Sequence, residues 1–318
     1  MMTTLNKVWV LAEKQGALAE LCAGGRELGQ EVSAVVIGSK VEADKAIAMG
    51  ADKVYWLGAL KADQMLEDYT KIILALLKQE KPNLLLVQPS RRGKLLAGRL
   101  AAGLGTSVIV DAAGIEIADD GKVQAAHMVY GGAAFRTEKA LSETAIVTVG
   151  SGTFTALAED GSRQGVVIEA DFVEPATKVK VLEKKIKAGT SVNLAAAKKV
   201  IGIGRGFSNK EDIKMAEELA CLLDAELGCS RPLAEGVDWL PRERYIGVSG
   251  VVLKSDVYLA IGISGQVQHM VGVNQARVVI SINKDKTAPI FQQSDYGVVG
   301  DLYKVVPALI EKIKAVKQ

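Results

Sequence analysis

Small and polar residues follow apolar segments in the second half of this sequence, and they include side chains suited to bind a charged ligand. Gly204, Arg205 and Gly206 come directly after the apolar run 200–203. A glycine turn that leads from a strand to a helix exposes backbone N–H groups, and a guanidinium adds a bidentate hydrogen-bond donor. This segment could therefore bind a phosphate group. The signal is weak by itself, because glycine turns are common and the GxGxxG spacing is missing.

Further segments of the same kind follow along the chain. They are 229–232 (CSRP), 246–250 (IGVSG), 262–269 (GISGQVQH), 281–285 (SINKD) and 295–302 (DYGVVGDL). Because the carboxyl ends of parallel strands meet at one edge of a sheet, we expect these segments to line one nucleotide-binding crevice. The residues themselves leave the identity of the nucleotide open.

Several catalytic signatures are missing from the sequence. No GxxxxGK[ST] loop, GxSxG turn or HExxH helix occurs. The chain has 2 histidines, His127 and His269, and 3 scattered cysteines, which argues against His-built metal sites, iron–sulfur clusters and a disulfide framework. No acid–base pair or activated nucleophile stands out, so the sequence favours a binding role over catalysis.

Composition limits the class of protein. The 318 residues are 49% hydrophobic and 5% aromatic with 32 glycines, which is typical of a two-domain α/β protein with many tight turns. The net charge of +2 and the lack of a basic tract argue against nucleic-acid binding. No signal peptide and no apolar run of about 18 residues is visible, so we expect a cytoplasmic protein.

Alternating strands and helices predict a Rossmann-like α/β domain over 1–177, with an antiparallel extension after residue 111. A basic segment within 178–197 is predicted as a linker, and a solvated edge strand stays open as the alternative. Residues 198–318 are predicted as a doubly wound parallel α/β domain. Its predicted elements are strands at 200–203, 258–261 and 278–282 and helices at 210–223 and 302–317.

The second-half segments resemble the signature of the electron transfer flavoprotein α subunit. The resemblance rests on the long run YLAIGISGQVQH at 258–269 and on the segments 288–291 (APIF) and 295–297 (DYG). The segment 90–94 (SRRGK) also matches the family, so the resemblance covers essentially the whole chain. The segment 127–132 (HMVYGG) resembles the bacterial Fix-type branch.

The resemblance implies one bound FAD and a set of residues that contact it. Arg205 would contact the pyrophosphate, Arg231 would lie over the isoalloxazine, His269 would lie near the flavin C2 carbonyl, and Asn283 and Asp301 would hold the adenosine end. The implied FAD-binding residues are Arg205, Ser230, Arg231, Ile246, Gly247, Val248, Ser249, Ser264, Gly265, Gln266, Val267, Gln268, His269, Asn283, Asp301 and Leu302.

Two positions depart from the family pattern. Val248 stands where many members have Gln, so one polar contact to the flavin is expected to be missing, while Ser249 matches the Thr or Ser that donates to flavin N5. Ser281 replaces a small Ala, which we expect to be harmless.

The chemistry of a flavin gives two of these residues a testable role. One-electron reduction puts negative charge near N1 and the C2 oxygen, and a hydrogen bond to a charged group contributes about 1.5–3 kcal/mol, or roughly 60–130 mV for one electron. Arg231 and His269 are the residues predicted to supply it. The alternatives are that His269 is a structural histidine and that Arg231 belongs to a surface ion pair; Tyr258 is predicted to lie in the core.

The resemblance implies an electron carrier without a substrate reaction of its own. It implies a heterodimer with a β subunit and redox partners such as acyl-CoA dehydrogenase-type flavoproteins, quinone reductases or ferredoxins. Two alternatives remain at this point: an NAD(P)-dependent oxidoreductase, and a module that senses an adenine nucleotide. The absence of GxGxxG argues against the first, and the segment 12–14 (AEK), where a glycine-rich phosphate loop would stand, argues against the second.

Overall fold

The computed structural model describes residues 4–175, 179, 181–183 and 194–317. The chain divides into two compact units, one of residues 1–129 with 134–186 and the other of residues 130–133 with 187–318. Most of the predicted linker 178–197 lies outside the described residues. The domain limits given above therefore stay a prediction.

The first unit contains one mixed sheet, with strand order β7-β6-β5-β8-β4-β1-β2-β3-β9. Its strands are β1 (Leu5–Leu11), β2 (Gly29–Val36), β3 (Lys53–Trp56), β4 (Leu84–Val87), β5 (Val108–Ile117), β6 (Val123–Val129), β7 (Ala134–Lys139), β8 (Ala145–Val149) and β9 (Val166–Glu169). Its helices are α1 (Gln15–Leu28), α2 (Lys40–Ala48), α3 (Thr70–Glu80) and α4 (Arg91–Leu104).

The predicted antiparallel extension is confirmed for part of this sheet. Strand β6 pairs antiparallel with both β5 and β7. Strand β8 instead pairs parallel with β4, and all of its residues are buried, as expected of a strand covered on both faces. The sequence pattern did not predict β7 or β9, because most of their residues are exposed and lack a buried apolar face.

Two of the three cations in the segment 90–94 (SRRGK), at the start of α4, have acidic partners. The Ser90 hydroxyl accepts the backbone N–H of the third helical residue at 2.9 Å, so Ser90 caps the helix, which begins at residue 91. Lys94 Nζ lies 2.5 Å from a carboxylate oxygen of Asp111, and Arg92 lies 3.6 Å from one of Glu67. These acids offset the unfavourable position of cations at a helix N-terminus.

The second unit contains a sheet with strand order β11-β10-β12-β13-β14. Every neighbouring pair in it is parallel. Its strands are β10 (Lys199–Ile203), β11 (Glu226–Cys229), β12 (Val257–Ile261), β13 (Val278–Asn283) and β14 (Tyr296–Val299). Its helices are α5 (Ile213–Leu223), α6 (Arg231–Glu235), α7 (Val267–Met270) and α8 (Leu302–Lys317).

Buried residues on both faces of this second sheet confirm the doubly wound prediction. One core packs the sheet against α5 and α8, and the other packs it against Leu253, Met270 and Val273. The helix predicted over 210–223 is a 3-10 turn that continues into α5. Strand β11 was not predicted, because its four residues include no β-branched or aromatic side chain.

The strand order places a topological switch point at β10. The chain leaves β10 toward β11 on one side, and β12 pairs with β10 on the other side. In open parallel sheets the crevice outside the carboxyl ends of such strands is where ligands bind. Among the described residues, no helix combines the length and the apolar character needed to span a membrane.

Candidate functional site

A cavity of about 540 Å³ lies at the carboxyl edge of the second sheet. The residues that line it come from the segments after β10, β11, β12 and β13, as the sequence predicted for one crevice. Nine of the sixteen predicted residues line it: Arg205, Ser230, Arg231, Val248, Ser264, Gln266, Gln268, His269 and Asn283.

The other seven predicted residues do not line this cavity: Ile246, Gly247, Ser249, Gly265, Val267, Asp301 and Leu302. Ile246 and Leu302 are buried in the two cores of the unit. Val267 and Asp301 are exposed. Adjacency in the sequence therefore does not decide whether a residue reaches the cavity wall.

Eight lining residues were not among the predicted set: Gly206, Pro232, Tyr245, Gly262, Ile263, Asp285, Ala288 and Pro289. Gly206 and Gly262 follow β10 and β12, so the pattern of small residues after strands could have found them. Tyr245 gives no such signal, because an isolated β-bridge to Cys229 brings it to the site.

Glycines allow the loops after β10 and β12 to touch through their backbones. The N–H of Gly206 donates to the Gly262 carbonyl at 3.0 Å. A Cβ on Gly204 would lie 2.4 Å from that carbonyl oxygen, and one on Gly206 would lie 2.6 Å from Gly262 Cα. Gly262 also has a φ of +65°, which favours glycine. Side chains here would force the two strand ends apart, so the close contact requires glycine, and Gly206 and Gly262 line the cavity beside it.

The two predicted arginines differ in their partners. Arg205 is exposed at the cavity and forms no ion pair with a described residue. Arg231 donates from Nε to Glu235 at 2.6 Å, and Arg242 binds the other oxygen of that carboxylate at 2.9 Å. The hydrogen bond from Arg231 lowers the pKa of Glu235. Arg231 is thus both an ion-pair residue and a residue of the cavity wall, with its Nε occupied by Glu235.

The loop before β12 is fixed to α7 by backbone contacts. The N–H of Val248 donates to the Gln268 carbonyl at 2.8 Å. Gly247 has a φ of +150°, and a Cβ there would lie 2.7 Å from the Tyr245 hydroxyl. The Ser249 hydroxyl lies 3.4 Å from that same hydroxyl. The position of Val248 on the cavity wall is therefore set by α7.

Asn283 and Ser281 have partners within the protein. The Asn283 side-chain N–H donates to the Ile263 carbonyl at 2.8 Å, and its amide oxygen accepts the Asp285 N–H at 3.0 Å. Asn283 thereby ties β13 to the loop after β12. The buried Ser281 hydroxyl lies 2.5 Å from that of Ser294, so the serine at this position has a hydrogen-bond partner.

His269 is buried and uncharged at neutral pH in this structure. Its side chain lines the cavity, is 8% exposed, and has Nε2 2.8 Å from the Tyr258 hydroxyl. The nearby Ile246 carbonyl partly stabilises the charged form of the ring. It makes no hydrogen bond to Nδ1, which has no hydrogen-bond partner among the described residues. Burial lowers the pKa of His269 from 6.5 to about 4. A neutral ring can donate one N–H but supplies no positive charge.

We expect His269 to make this protein less stable in acid. The pKa of His269 is about 6.5 unfolded and about 4 folded, so between these values the unfolded chain binds a proton that the folded chain does not. The folded state should lose about 3 kcal/mol from this group as the pH falls from about 6.5 to about 4. Urea unfolding of wild type and His269→Gln across this range measures the difference. Parallel losses in both proteins would contradict the prediction.

These features together define an α/β nucleotide-binding domain, because glycine loops, a guanidinium that forms no ion pair within the described part of the chain, and polar side chains meet at a switch point. Comparison with known proteins gives the family. Residues 8–175 match the model of the electron transfer flavoprotein domain, and residues 193–274 match that of the electron transfer flavoprotein FAD-binding domain. The chain belongs to the electron transfer flavoprotein family, as an α-type subunit that binds FAD and carries electrons.

Relatives match over nearly the full length. YdiR of Escherichia coli strain K12, which carries the description of an electron transfer flavoprotein subunit, is 47% identical over 98% of this chain and 99% of its own. FixB of Salmonella typhimurium strain LT2 is 43% identical over 97% of this chain and 98% of its own. A solved structure of a thiamin diphosphate-dependent enzyme from Mycobacterium smegmatis aligns with 96% of this chain and 59% of its own. The sequence identity is 9% and the TM-score is 0.24, which is too low to indicate a shared fold.

Proposed function

We propose that the cavity at the carboxyl edge of the second sheet is the FAD site of this electron-transfer protein. The observation that carries the proposal is the contact of the Gly206 and Gly262 loops beside Arg205, which has no ion-pair partner among the described residues. Backbone that approaches closely and an unpaired guanidinium suit a pyrophosphate. The bound FAD supplies the redox chemistry, and the chain supplies binding, orientation and electrostatics.

Each side chain at the cavity has its own proposed role in binding FAD. Arg205 binds the pyrophosphate. Arg231 lies along the isoalloxazine with its Nε held by Glu235, which leaves the other guanidinium N–H groups for the cofactor. His269 provides a neutral imidazole in the wall of the cavity. Val248 gives an apolar contact where many family members have a Gln, so this pocket makes one polar contact fewer than theirs.

The adenosine end of FAD is proposed to lie toward Asn283 and Asp301. The amide of Asn283 already holds the loop after β12, so its contribution is to shape this end of the site. The Asp301 carboxylate accepts the N–H of Tyr303 at 3.0 Å at the start of α8. The remaining proposed contacts come from Ser230, the residues Ile246, Gly247 and Ser249 of the loop before β12, the segment 264–268, and Leu302.

The proposed physiological role is electron transfer with no substrate reaction of the protein's own. Membership of the family supports a heterodimer with a β subunit, and we propose that the β subunit completes the flavin pocket. The proposed redox partners are an acyl-CoA dehydrogenase-type flavoprotein and a quinone reductase or ferredoxin. The proposed compartment is the cytoplasm.

The absorbance spectrum of the chain co-expressed with a β subunit tests the site and the cofactor together. We expect flavin bands near about 370 and about 450 nm, which belong to the cofactor rather than to the protein. Denaturation should release FAD in a ratio of about one per heterodimer. A colourless complex, or one that releases a nicotinamide nucleotide instead, would contradict the proposed function.

A further inference from the structure

Tyr258 lies inside β12 with its side chain fully buried, and its hydroxyl occupies a space that a glycine provides. Gly202 lies on the neighbouring strand β10, and a Cβ there would lie 2.0 Å from the Tyr258 hydroxyl oxygen and 2.6 Å from the ring carbon that bears it. A side chain at position 202 would therefore displace the hydroxyl. Glycine ordinarily weakens a strand, but at position 202 it leaves the space that the Tyr258 hydroxyl occupies.

The buried hydroxyl has one hydrogen-bond partner among the residues that the structure describes, His269 Nε2 at 2.8 Å. If Nε2–H donated to Tyr258, the tyrosine proton would be left buried without an acceptor. If Tyr258 donates, its proton is satisfied, Nε2 acts as the acceptor, and the remaining ring proton, on Nδ1, faces the Ile246 backbone, which lies close enough to favour a charged ring although Nδ1 makes no hydrogen bond with it. Buried polar groups are almost always paired, so the second arrangement is favoured.

The direction of this hydrogen bond determines which nitrogen of the His269 imidazole carries the proton. A neutral imidazole carries one proton, and the hydrogen bond at one nitrogen determines which nitrogen carries it. With Nε2 as the acceptor, the proton lies on Nδ1, beside the Ile246 carbonyl where the loop 246–250 begins. The ring of His269 thus links α7 to β12 by a hydrogen bond and lies next to the start of this loop at the wall of the cavity.

We propose that Tyr258, whose hydroxyl occupies the space that Gly202 leaves free, is a positioning residue that keeps the proton of the neutral His269 ring on Nδ1. The relevance of this arrangement to the cofactor rests on the proposed function, because His269 lines the proposed FAD site. The arrangement itself is a property of the chain and can be measured with or without FAD.

Nitrogen NMR on the full-length protein, labelled with ¹⁵N-histidine, measures the position of the proton. Protonated and unprotonated imidazole nitrogens have widely separated shifts, and the chain has 2 histidines, so His127→Gln assigns the signals. In wild type we expect the proton of His269 on Nδ1. In Tyr258→Phe the ratio of the two tautomers should shift by about fivefold toward Nε2–H, because one neutral hydrogen bond is removed.

A matched control is Tyr69→Phe, which removes the hydroxyl of another buried tyrosine, 1% exposed and located in the first unit. It should leave the His269 signals unchanged. A proton on Nε2 of His269 in the wild-type protein would overturn the proposal by itself. The test therefore does not depend on whether Tyr258→Phe folds. An identical tautomer ratio in wild type and Tyr258→Phe would overturn it as well.

The flavin spectrum of the same samples keeps the two proposals distinguishable. Loss of FAD from wild type would contradict the proposed function, whereas the tautomer in the FAD-free chain would still report on Tyr258. Conversely, a yellow complex with His269 protonated on Nε2 would support the FAD site and overturn the role of Tyr258.

Discussion

Arg205→Ala is expected to bind FAD about 10- to 100-fold more weakly than wild type. Arg205 lines the cavity and has no ion-pair partner among the described residues, so its guanidinium is available to a phosphate. A hydrogen bond to a charged group contributes about 1.5–3 kcal/mol, which gives this range of dissociation constants. Retention of flavin during dialysis of the heterodimer, followed by titration with FAD, measures the loss.

Two companion variants separate the role of Arg205 from a general loss of positive charge. Arg205→Lys keeps the charge but loses the two-pronged geometry, so its affinity should fall between those of wild type and Arg205→Ala. Arg277→Ala removes another exposed arginine of the same unit that does not line the cavity, and should bind FAD as wild type does. Equal affinity in Arg205→Ala and Arg277→Ala would refute the phosphate assignment.

Gly265→Ala should both destabilise the second unit and release the cofactor. Gly265 has a φ of +84°, and a Cβ there would lie 2.4 Å from the backbone N and Cα of Ile290. Ile290 is fully buried, and its N–H donates to the Ser264 carbonyl at 3.0 Å, so it cannot move aside easily. A left-handed backbone and an overpacked contact each cost about 1–3 kcal/mol, so we expect a loss of about 2–6 kcal/mol.

Urea unfolding followed by circular dichroism and flavin release measures the effect of Gly265→Ala. Gly98→Ala is the matched control, because Gly98 lies inside α4 and a Cβ there would meet nothing within 4 Å. The control should be neutral or slightly stabilising, since alanine has the higher helix propensity. If Gly265→Ala unfolded at the wild-type urea concentration and kept its flavin, the contact with Ile290 would not require glycine at position 265.

Part of the site follows from local sequence. Gly204, Arg205 and the segment 262–269 come directly after short apolar strands, and parallel strands bring their carboxyl ends to one edge of a sheet. That rule was enough to predict one crevice from separate segments. It could not predict that Ser249 and Val267 lie beside the cavity rather than in its wall, because this depends on how the loops fold back.

Within the sheets, the sequence predicted strands best where both faces are buried. The strands near 200–203, 258–261 and 278–282 have nearly continuous apolar runs, and all three are present with small shifts at their ends. Strands β7 and β9 lie at the two edges of the first sheet and are mostly exposed, so they carry no apolar pattern to detect. Their place comes from backbone pairing with a neighbouring strand, which a single sequence does not reveal.

The sequence alone determined the fold class and the family, and it predicted the edge of the sheet that is proposed to bind the ligand, because strand patterns and the run at 258–269 are local signals. Only the tertiary structure decided which side chains at that edge are paired and which of them are charged. Glu235 occupies one side of the Arg231 guanidinium, and Tyr258 fills the space above Gly202 to reach His269. Burial then lowers the pKa of His269 to about 4 and leaves the ring neutral. The charge of that histidine depends on desolvation by surrounding elements, which no pattern along the chain encodes.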